Sequence, residues 1–149
     1  MKLAQRTVLI RTNPERAPIQ KEWIMDAVVR PGQLVEYASS TRIQVLSATI
    51  DPTVRVVVES GTVPIDGTYA SGDMIPFVVP SPGDEIYAYA TSTALGTIAA
   101  GNLLVSDGAG FMVLFDPTAT VAAGEAIAVS LEAKVIAANS LEQLRVEVL

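Results

Sequence analysis

The chain has 149 residues, of which half are hydrophobic and 17% are charged, which suffices for one domain with its own core. It contains no cysteine and no histidine, which excludes disulfides, thiolate metal sites and the commonest general base. No apolar run is long enough to span a membrane, and residues 1–18 lack the uninterrupted apolar stretch of a signal peptide, so we expect neither feature.

The charge is distributed unevenly along the chain. Residues 1–55 carry eight basic and five acidic residues, a net of +3, whereas residues 56–149 carry two basic and eleven acidic residues, a net of −9, and together they give −6. A basic N-terminal third favours contact with acidic surfaces, and a solvated, flexible terminus is the alternative. We do not expect nucleic-acid binding, because the basic residues are widely spaced and no aromatic residues lie between them.

Residues 1–19 are predicted to form an extended arm. Pro14 and Pro18 oppose a helix, and the TVLI segment at 7–10 is suited to pair as an edge strand with a neighbouring molecule. For Trp23, the only tryptophan, an interface role competes with burial in the chain's own core. The residues expected to contact a partner are Lys2, Arg6, Val8, Leu9, Ile10, Arg11, Arg16 and Trp23.

Residues 20–149 are predicted to form a single β-rich domain. Residues 20–29 fit a short helix or the lead into a strand, and Pro31-Gly32 ends that element. Apolar, partly alternating segments then predict a succession of strands at 33–38, 42–50, 54–60, 74–80, 85–91, 102–107, 110–116, 125–137 and 141–149.

Some of these strands carry more detailed predictions. In 54–60 the even-numbered valines are expected to point inward and Arg55 outward, and in 85–91 Ile86, Ala88 and Ala90 are expected to share one face. The prolines of 74–80 favour an edge strand. The Asp107-Gly108-Ala109 turn predicts a hairpin. Residues 125–137 suit a helix by composition, but the alternation of Ile127, Val129 and Leu131 favours a strand.

A repeated turn pattern supports a small barrel or sandwich. Five times a glycine is followed by a polar residue and then by the start of an apolar strand, at Gly32, Gly72, Gly83, Gly101 and Gly124. Glycine adopts a positive φ without steric cost, and a following Asp or Asn bonds back to the turn backbone. The predicted fold is therefore all-β, a small β-barrel or β-tulip-like domain with an extended N-terminal arm and at most one or two short helices.

Two groups of residues were weighed as candidate active sites. The segment VPIDGTY at 63–69 looks superficially like the nucleoside-binding hairpin of trimeric dUTP pyrophosphatases, but a structural turn with Asp66 as a cap and Tyr69 packed is the favoured interpretation. Asp84 and Glu85 are adjacent carboxylates that would point to opposite faces of a strand, which does not suit an acid–base pair, and they are expected to solvate a turn. We expect no catalytic residue, no metal and no cofactor.

Four segments in a fixed order carry a resemblance to a known family. They are WIMDAVVRPGQLVEY at 23–37, IDGTYASGD at 65–73, PGDEI at 82–86 and AGNLLVSDGAG at 100–110. Each is a turn next to a strand, and their succession resembles the capsid decoration, or cement, proteins of tailed phages, which are related in architecture to lambda-type head decoration proteins. The resemblance extends from about residue 20 to the end of the sequence.

The resemblance implies a structural virion protein without enzymatic activity. It implies a compact β-domain that forms homotrimers on the outer surface of the expanded capsid, with the major capsid protein as partner and an N-terminal arm that reaches neighbouring subunits. The protein would be present in the host cytoplasm during assembly and would contact neither nucleic acid nor membrane. The alternatives are another virion subunit, such as a head fibre base or a tail or baseplate domain, and a dUTPase-like trimeric nucleotide hydrolase.

Overall fold

The computed structural model of the chain describes residues 7–12, 18–47, 53–92, 96–116 and 126–149. These residues form thirteen strands and no helix, which confirms the predicted all-β class and makes residues 19–25 a strand. In chain order the strands are β1 (Leu9–Arg11), β2 (Ile19–Met25), β3 (Val35–Tyr37), β4 (Arg42–Val45), β5 (Val56–Val57), β6 (Met74–Val79), β7 (Glu85–Thr91), β8 (Gly96–Ile98), β9 (Leu103–Ser106), β10 (Met112–Leu114), β11 (Ala128–Ser130), β12 (Lys134–Ile136) and β13 (Leu141–Val148).

Five strands close into a barrel in the order β7, β10, β9, β11, β13, because β13 pairs again with β7. The antiparallel ladder between β7 and β13 is the longest of this barrel and extends from Thr91 opposite Leu141 to Glu85 opposite Glu147. Strand β1 pairs with the opposite edge of β7, where β10 makes only one parallel pair. Strands β8 and β12 form a separate two-stranded ribbon.

The other five strands form a curved sheet, a half-barrel, in the order β3, β4, β2, β6, β5. Its two outer strands meet through backbone hydrogen bonds. The amide of Gly32 donates to the carbonyl of Val57 over 2.8 Å, and the amide of Val57 donates to the carbonyl of Gln33 over 3.0 Å. The amide of Val35 donates to the carbonyl of Arg55 over 2.9 Å. The start of β3 and the strand β5 therefore approach one another across the open side of the sheet.

Neighbouring residues on three strand segments of the half-barrel belong to two different hydrophobic cores. The pairs are Leu34 with Val35, Val56 with Val57, and Val78 with Phe77, the first of each in the barrel core and the second in the half-barrel core. Successive side chains of a strand point to opposite faces, so each of these segments is buried on both sides. The prediction of a single inward face for 54–60 is therefore wrong at Val57, which is as fully buried as Val56.

The alternation predicted for residues 85–91 is confirmed in β7. Ile86, Ala88 and Ala90 are buried in the barrel core, and Tyr87 and Tyr89 lie half-buried on the outer face. The small alanines leave room for Leu144 of the paired strand β13, which is directly opposite Ala88 and fully buried.

The predicted glycine turns adopt one geometry in the four copies that the structure describes. In each copy the glycine has a φ between 88° and 97°, and the amide of the next residue donates to the carbonyl three positions earlier, as in a type II turn. The side chain after the glycine also accepts a hydrogen bond from that earlier residue's amide, over 2.8–2.9 Å. These acceptors are Gln33, Asp73, Asp84 and Asn102. The fifth turn, at Gly124, lies outside the described residues.

The hairpin predicted around Gly108 is confirmed, with β9 and β10 antiparallel on either side. Asp107 fixes the turn, because its Oδ1 accepts hydrogen bonds from the amides of Ala109 and Phe111. Gly110 then contacts the half-barrel, since its carbonyl accepts a 2.8 Å hydrogen bond from the amide of Leu34. This turn joins the two halves of the fold.

Strand β6 is not an edge strand, which corrects the prediction drawn from its prolines. It pairs with β2 on one side and β5 on the other. The carbonyl of Pro76 accepts a hydrogen bond from the amide of Val58, on the side of β5. In a strand, a residue's amide and carbonyl face the same neighbour, so the missing donor of Pro76 faces the two-residue strand β5 and interrupts no bond to β2.

Residues 126–137 form two short strands instead of the single predicted one. Strand β11 pairs with β9 and β13 in the barrel, and β12 pairs with β8 in the ribbon. Ala128 and Ser130 are buried in β11, whereas Val129 and Leu131 are only half-buried, so of the three alternating apolar residues only Ile127 is buried. Ser130 tolerates burial because its hydroxyl donates to the carbonyl of Glu132 over 2.7 Å.

Candidate partner-binding surfaces

The N-terminal strand is part of the barrel in this structure. Val8 is fully buried in the barrel core, its amide donates to Oε2 of Glu59 over 3.0 Å, and its carbonyl accepts from the amide of Tyr87 over 2.8 Å. The TVLI segment was predicted to pair with a neighbouring molecule, but β1 pairs with β7 of the same chain. Val8 is stable in this position because its side chain is apolar and its amide and carbonyl are both hydrogen-bonded. Its burial leaves no exposed surface of Val8 for a partner.

The residues after Val8 differ in accessibility. Leu9 packs partly against the barrel core, whereas Ile10 is 37% exposed. Arg11 extends into solvent, where its guanidinium lies 3.8 Å from a carboxylate oxygen of Glu85. Ile10 and Arg11 therefore remain accessible to a partner. The three other basic residues expected to make partner contacts, Lys2, Arg6 and Arg16, lie outside the described residues. The end of the predicted strand 42–50, including Thr49, also lies outside them.

Trp23 lies on β2 in a group of aromatic rings. Its ring is 4.6 Å from that of Tyr37 between centroids, and it meets Phe77 edge-on at 6.4 Å. Phe77 is fully buried, whereas Trp23 is half-buried and Tyr37 is 37% exposed. Trp23 thus takes an intermediate position between the two roles that the sequence analysis considered, because one part of the ring packs on the half-barrel core and another part is accessible.

Two cations accompany these rings. The ammonium of Lys21 donates a 3.0 Å hydrogen bond to the hydroxyl of Tyr37 and lies 5.4 Å from the centroid of its ring. The guanidinium carbon of Arg55 lies 4.5 Å from the same centroid. The hydrogen bond from Lys21 lowers the pKa of Tyr37, and Arg55 adds to this effect while partial burial opposes it. We call the surface formed by Lys21, Trp23, Tyr37, Arg55 and Phe77 the aromatic patch.

Sequence analysis identified only Trp23 among the members of the aromatic patch. Lys21 shares β2 with Trp23, whereas Tyr37, Arg55 and Phe77 lie on or next to other strands, so only the sheet order brings those three into the patch. One local signal was present, because Lys21 and Trp23 are two residues apart and share a face once residues 19–25 are known to be a strand. This shared face was not predicted, because the sequence left open whether residues 20–29 form a helix or a strand.

The two carboxylates Asp84 and Glu85 have different environments, as their opposite faces predict. Asp84 is fully buried and accepts a hydrogen bond from the amide of Ser81, so the expectation that it solvates a turn is wrong. Glu85 points outward, and Oε2 of its carboxylate lies 3.0 Å from the guanidinium of Arg145. The first carboxylate holds a turn and the second forms surface ion pairs, an arrangement with no shared substrate position.

The Asp66–Tyr69 segment forms a turn with a packed tyrosine. The amide of Gly67 donates to the carbonyl of Pro64, and Asp66 is exposed. Tyr69 is buried, and its hydroxyl donates a 2.9 Å hydrogen bond to the carbonyl of Val58. A buried ring in this position does not offer a face on which a nucleoside could stack.

An apolar cleft of about 310 Å³ lies beside the ribbon of β8 and β12. Its lining includes Ile98, Leu114 and Ile136, and its polar side chains are hydroxyls, those of Thr91, Ser92 and Thr97.

Across the described ranges no group of three acidic side chains is placed to hold a metal ion. Searches with the sequence matched no family model and no curated protein. The described strands and loops contain no helix that could cross a membrane.

Proposed function

We propose that the protein is a structural component of a tailed-phage virion that binds the outside of the expanded capsid as a homotrimer. In this role it cements neighbouring capsomers against the pressure of packaged DNA. The observation that carries the proposal is the ordered set of four segments that resemble phage decoration proteins. In the structure these segments contain the glycines of the four described type II turns, and each turn leads directly into a strand, so the segments belong to the framework of the fold.

The surface of the single chain supports association with partners. Large hydrophobic side chains are exposed on the barrel, the half-barrel and the ribbon. The most exposed of them are Val28 and Met74, each at 62%. Exposed apolar surface marks a candidate interaction site where such side chains lie side by side, as the rings of Trp23 and Tyr37 do in the aromatic patch. Strand β1 lies at an edge of the barrel sheet, with Ile10 and Arg11 accessible, which suits a contact to a neighbouring capsid subunit.

Stabilisation by such a protein follows from linkage. A ligand that binds the expanded shell and not its precursor raises the free energy needed to disrupt the expanded state. A trimer at a threefold or quasi-threefold position contacts several capsomers at once, and its three subunits bind with the avidity of one tethered unit. Weak contacts from each subunit are then sufficient.

Electron microscopy of particles tests the proposal. Purified protein would be added to expanded capsids and to unexpanded procapsids assembled from a tailed-phage major capsid protein. We expect trimeric density at threefold positions of the expanded shell and none on procapsids. Density at capsomer centres would contradict the placement, and equal binding to procapsids would contradict the state selectivity. Density on the tail or at a fibre base would identify the protein as another virion subunit.

A nucleotide assay addresses the enzymatic alternative. We expect no hydrolysis of deoxynucleoside triphosphates in the presence of Mg²⁺, because Tyr69 is buried and the described residues hold no acidic cluster for the metal. Turnover that disappears in Asp66→Ala would overturn the structural role in favour of an enzyme.

A further inference from the structure

The aromatic patch combines three aromatic rings and two cations on one face of the half-barrel. By strand alternation, Ile19, Lys21 and Trp23 point to the same face of β2, and Lys21 is directly opposite Phe77 of β6. Tyr37 comes from β3 and Arg55 from the residue before β5. Four separate segments thus bring three rings and two cations onto one face, and the fully buried Phe77 provides a rigid base for them.

The ammonium of Lys21 is a donor with capacity for a ligand. It has three N–H groups, and the hydroxyl of Tyr37 accepts one of them. Within the described ranges none of the ion pairs includes Lys21. The rings of Trp23 and Tyr37 hold the ammonium over their faces, at 5.9 and 5.4 Å from their centroids, so its position is preorganised.

Apolar surface continues beside the charge. Ile19, two residues before Lys21 on the same strand face, is 58% exposed, and Trp23 and Tyr37 are themselves partly accessible. A ligand that fits this surface carries a negative charge for Lys21 and an apolar group for the exposed apolar side chains next to it. Tryptophan, tyrosine and arginine are the residue types most often found where binding energy concentrates.

The net charge of the protein distinguishes between two kinds of anionic partner, a nucleic acid and an acidic protein segment. The protein has a net charge of −6, and residues 56–149 alone carry −9. A long phosphate backbone carries many negative charges and would be repelled by this net negative charge. A short protein segment with one or two carboxylates experiences much less of this repulsion.

We propose that the aromatic patch binds an extended acidic protein segment in which a carboxylate side chain is followed closely by an apolar one. The carboxylate contacts the ammonium of Lys21, and the apolar side chain packs on Trp23 and Ile19. This inference is independent of the capsid proposal, because the binding assay requires no particle.

The test uses the fluorescence of Trp23, the only tryptophan of the chain, so any change reports on the patch itself. The full-length protein is titrated with a capped hexapeptide of glutamate and leucine, and with the same peptide carrying glutamine in place of glutamate. We expect a saturable change with the first peptide only, and its loss between about 0.05 M and about 0.5 M salt, where screening shortens to a few ångströms.

Variants locate the interaction. Lys21→Gln is expected to weaken binding about fivefold, and Lys21→Arg to restore most of it. The matched control is Arg42→Gln, which makes the same charge change on the opposite face of the half-barrel, where Arg42 pairs with Asp26. If Lys21→Gln fails to fold, Lys21→Met keeps the alkyl stem over the rings and replaces it.

Several results would overturn the proposal. They are the absence of a saturable change, an equal response to the glutamine peptide, or equal losses in Lys21→Gln and Arg42→Gln. A short single-stranded thymidine oligonucleotide serves as the competing ligand class. Binding of this oligonucleotide with a dependence on Lys21, and no binding of the acidic peptide, would assign the patch to nucleic acid.

Discussion

The hydroxyl of Tyr69 donates a 2.9 Å hydrogen bond to the carbonyl oxygen of Val58, and both residues are buried. This bond joins the two ends of the segment that connects β5 to β6. The backbone of Tyr69 is tied at the same time to Val29, with hydrogen bonds in both directions between their amides and carbonyls. Through its side chain and its backbone, Tyr69 thus links three parts of the half-barrel.

Replacement of Tyr69 by phenylalanine should destabilise the protein by about 1–2 kcal/mol, because the buried carbonyl of Val58 loses its side-chain donor. Urea unfolding followed by circular dichroism would measure the change in free energy, with an unchanged dependence on denaturant. The matched control is Tyr87→Phe, on the outer face of β7, which should change stability by less than about 0.5 kcal/mol. Equal effects of the two variants would show that the bond from Tyr69 contributes nothing.

Two glycine variants should separate backbone strain from steric contact. Gly72 has a φ of 90° and open space where a Cβ would lie, so Gly72→Ala should cost about 1–2 kcal/mol from the left-handed conformation alone. Gly110 has a similar φ of 86°, but its Cβ would lie 2.5 Å from Cγ1 of Val45 and 3.1 Å from the carbonyl oxygen of Leu34. Gly110→Ala should therefore lower the thermal midpoint clearly more than Gly72→Ala. Similar midpoints would mean that the contact at Gly110 relaxes without cost.

Alkaline titration should resolve two of the four tyrosines. The hydrogen bond from Lys21 lowers the pKa of Tyr37, whereas burial raises the pKa of Tyr69 above its usual value of 10.0. Tyr37 therefore favours the folded state increasingly as the pH rises from its lowered pKa towards 10, and Tyr69 disfavours it as the pH rises above 10. In the tyrosinate absorbance, Tyr37→Phe should remove the earliest ionisation.

The late part of the same titration should coincide with unfolding, since ionised Tyr69 cannot remain in its buried site. Tyr69→Phe should remove that part of the curve. A native-state titration in which all tyrosines ionise together would contradict the assigned directions of both pKa shifts.

Variants in β1 should separate core packing from partner contact. Val8→Ala removes two buried methyl groups from the barrel core and should destabilise the protein by about 2 kcal/mol. Ile10→Ala changes an exposed side chain and should alter stability by less than about 0.5 kcal/mol. If the N-terminal segment contacts the capsid as proposed, Ile10→Ala should nevertheless weaken capsid binding.

Deletion of residues 1–18 should combine the two effects, a lower unfolding free energy and weaker capsid binding. Cosedimentation with capsids over a range of salt concentrations measures the second. A truncated chain that binds as tightly as the full chain, with the same salt dependence, would exclude the arm from the interface.

Local chemistry was readable where one strand or turn decides the outcome. The alternation of Ile86, Ala88 and Ala90 predicted the buried face of β7, and the glycine turns at Gly83 and Gly101 formed with the expected return hydrogen bond, accepted by Asp84 and Asn102. These features depend on residues within a few positions of one another, so the sequence contains the whole cause.

Features that depend on distant strands were not readable. The burial of Val57 requires a second core on the other side of β5. Pro76 can lie in an interior strand because the side on which it lacks an N–H faces β5, and β5 ends at Val57. The aromatic patch has the same origin, because Lys21 and Arg55 meet at Tyr37 only through the order of the half-barrel strands. No pattern within a single segment contains that order.

The placement of adjacent residues in two cores has a consequence for cooperativity. Separating the barrel from the half-barrel would expose Val56 and its counterparts on the neighbouring strands, so neither half has an independent boundary along which to detach. We expect the amides of β3 and β5 to exchange with solvent only through global opening. A partner bound to either half would therefore raise the melting temperature of the entire molecule.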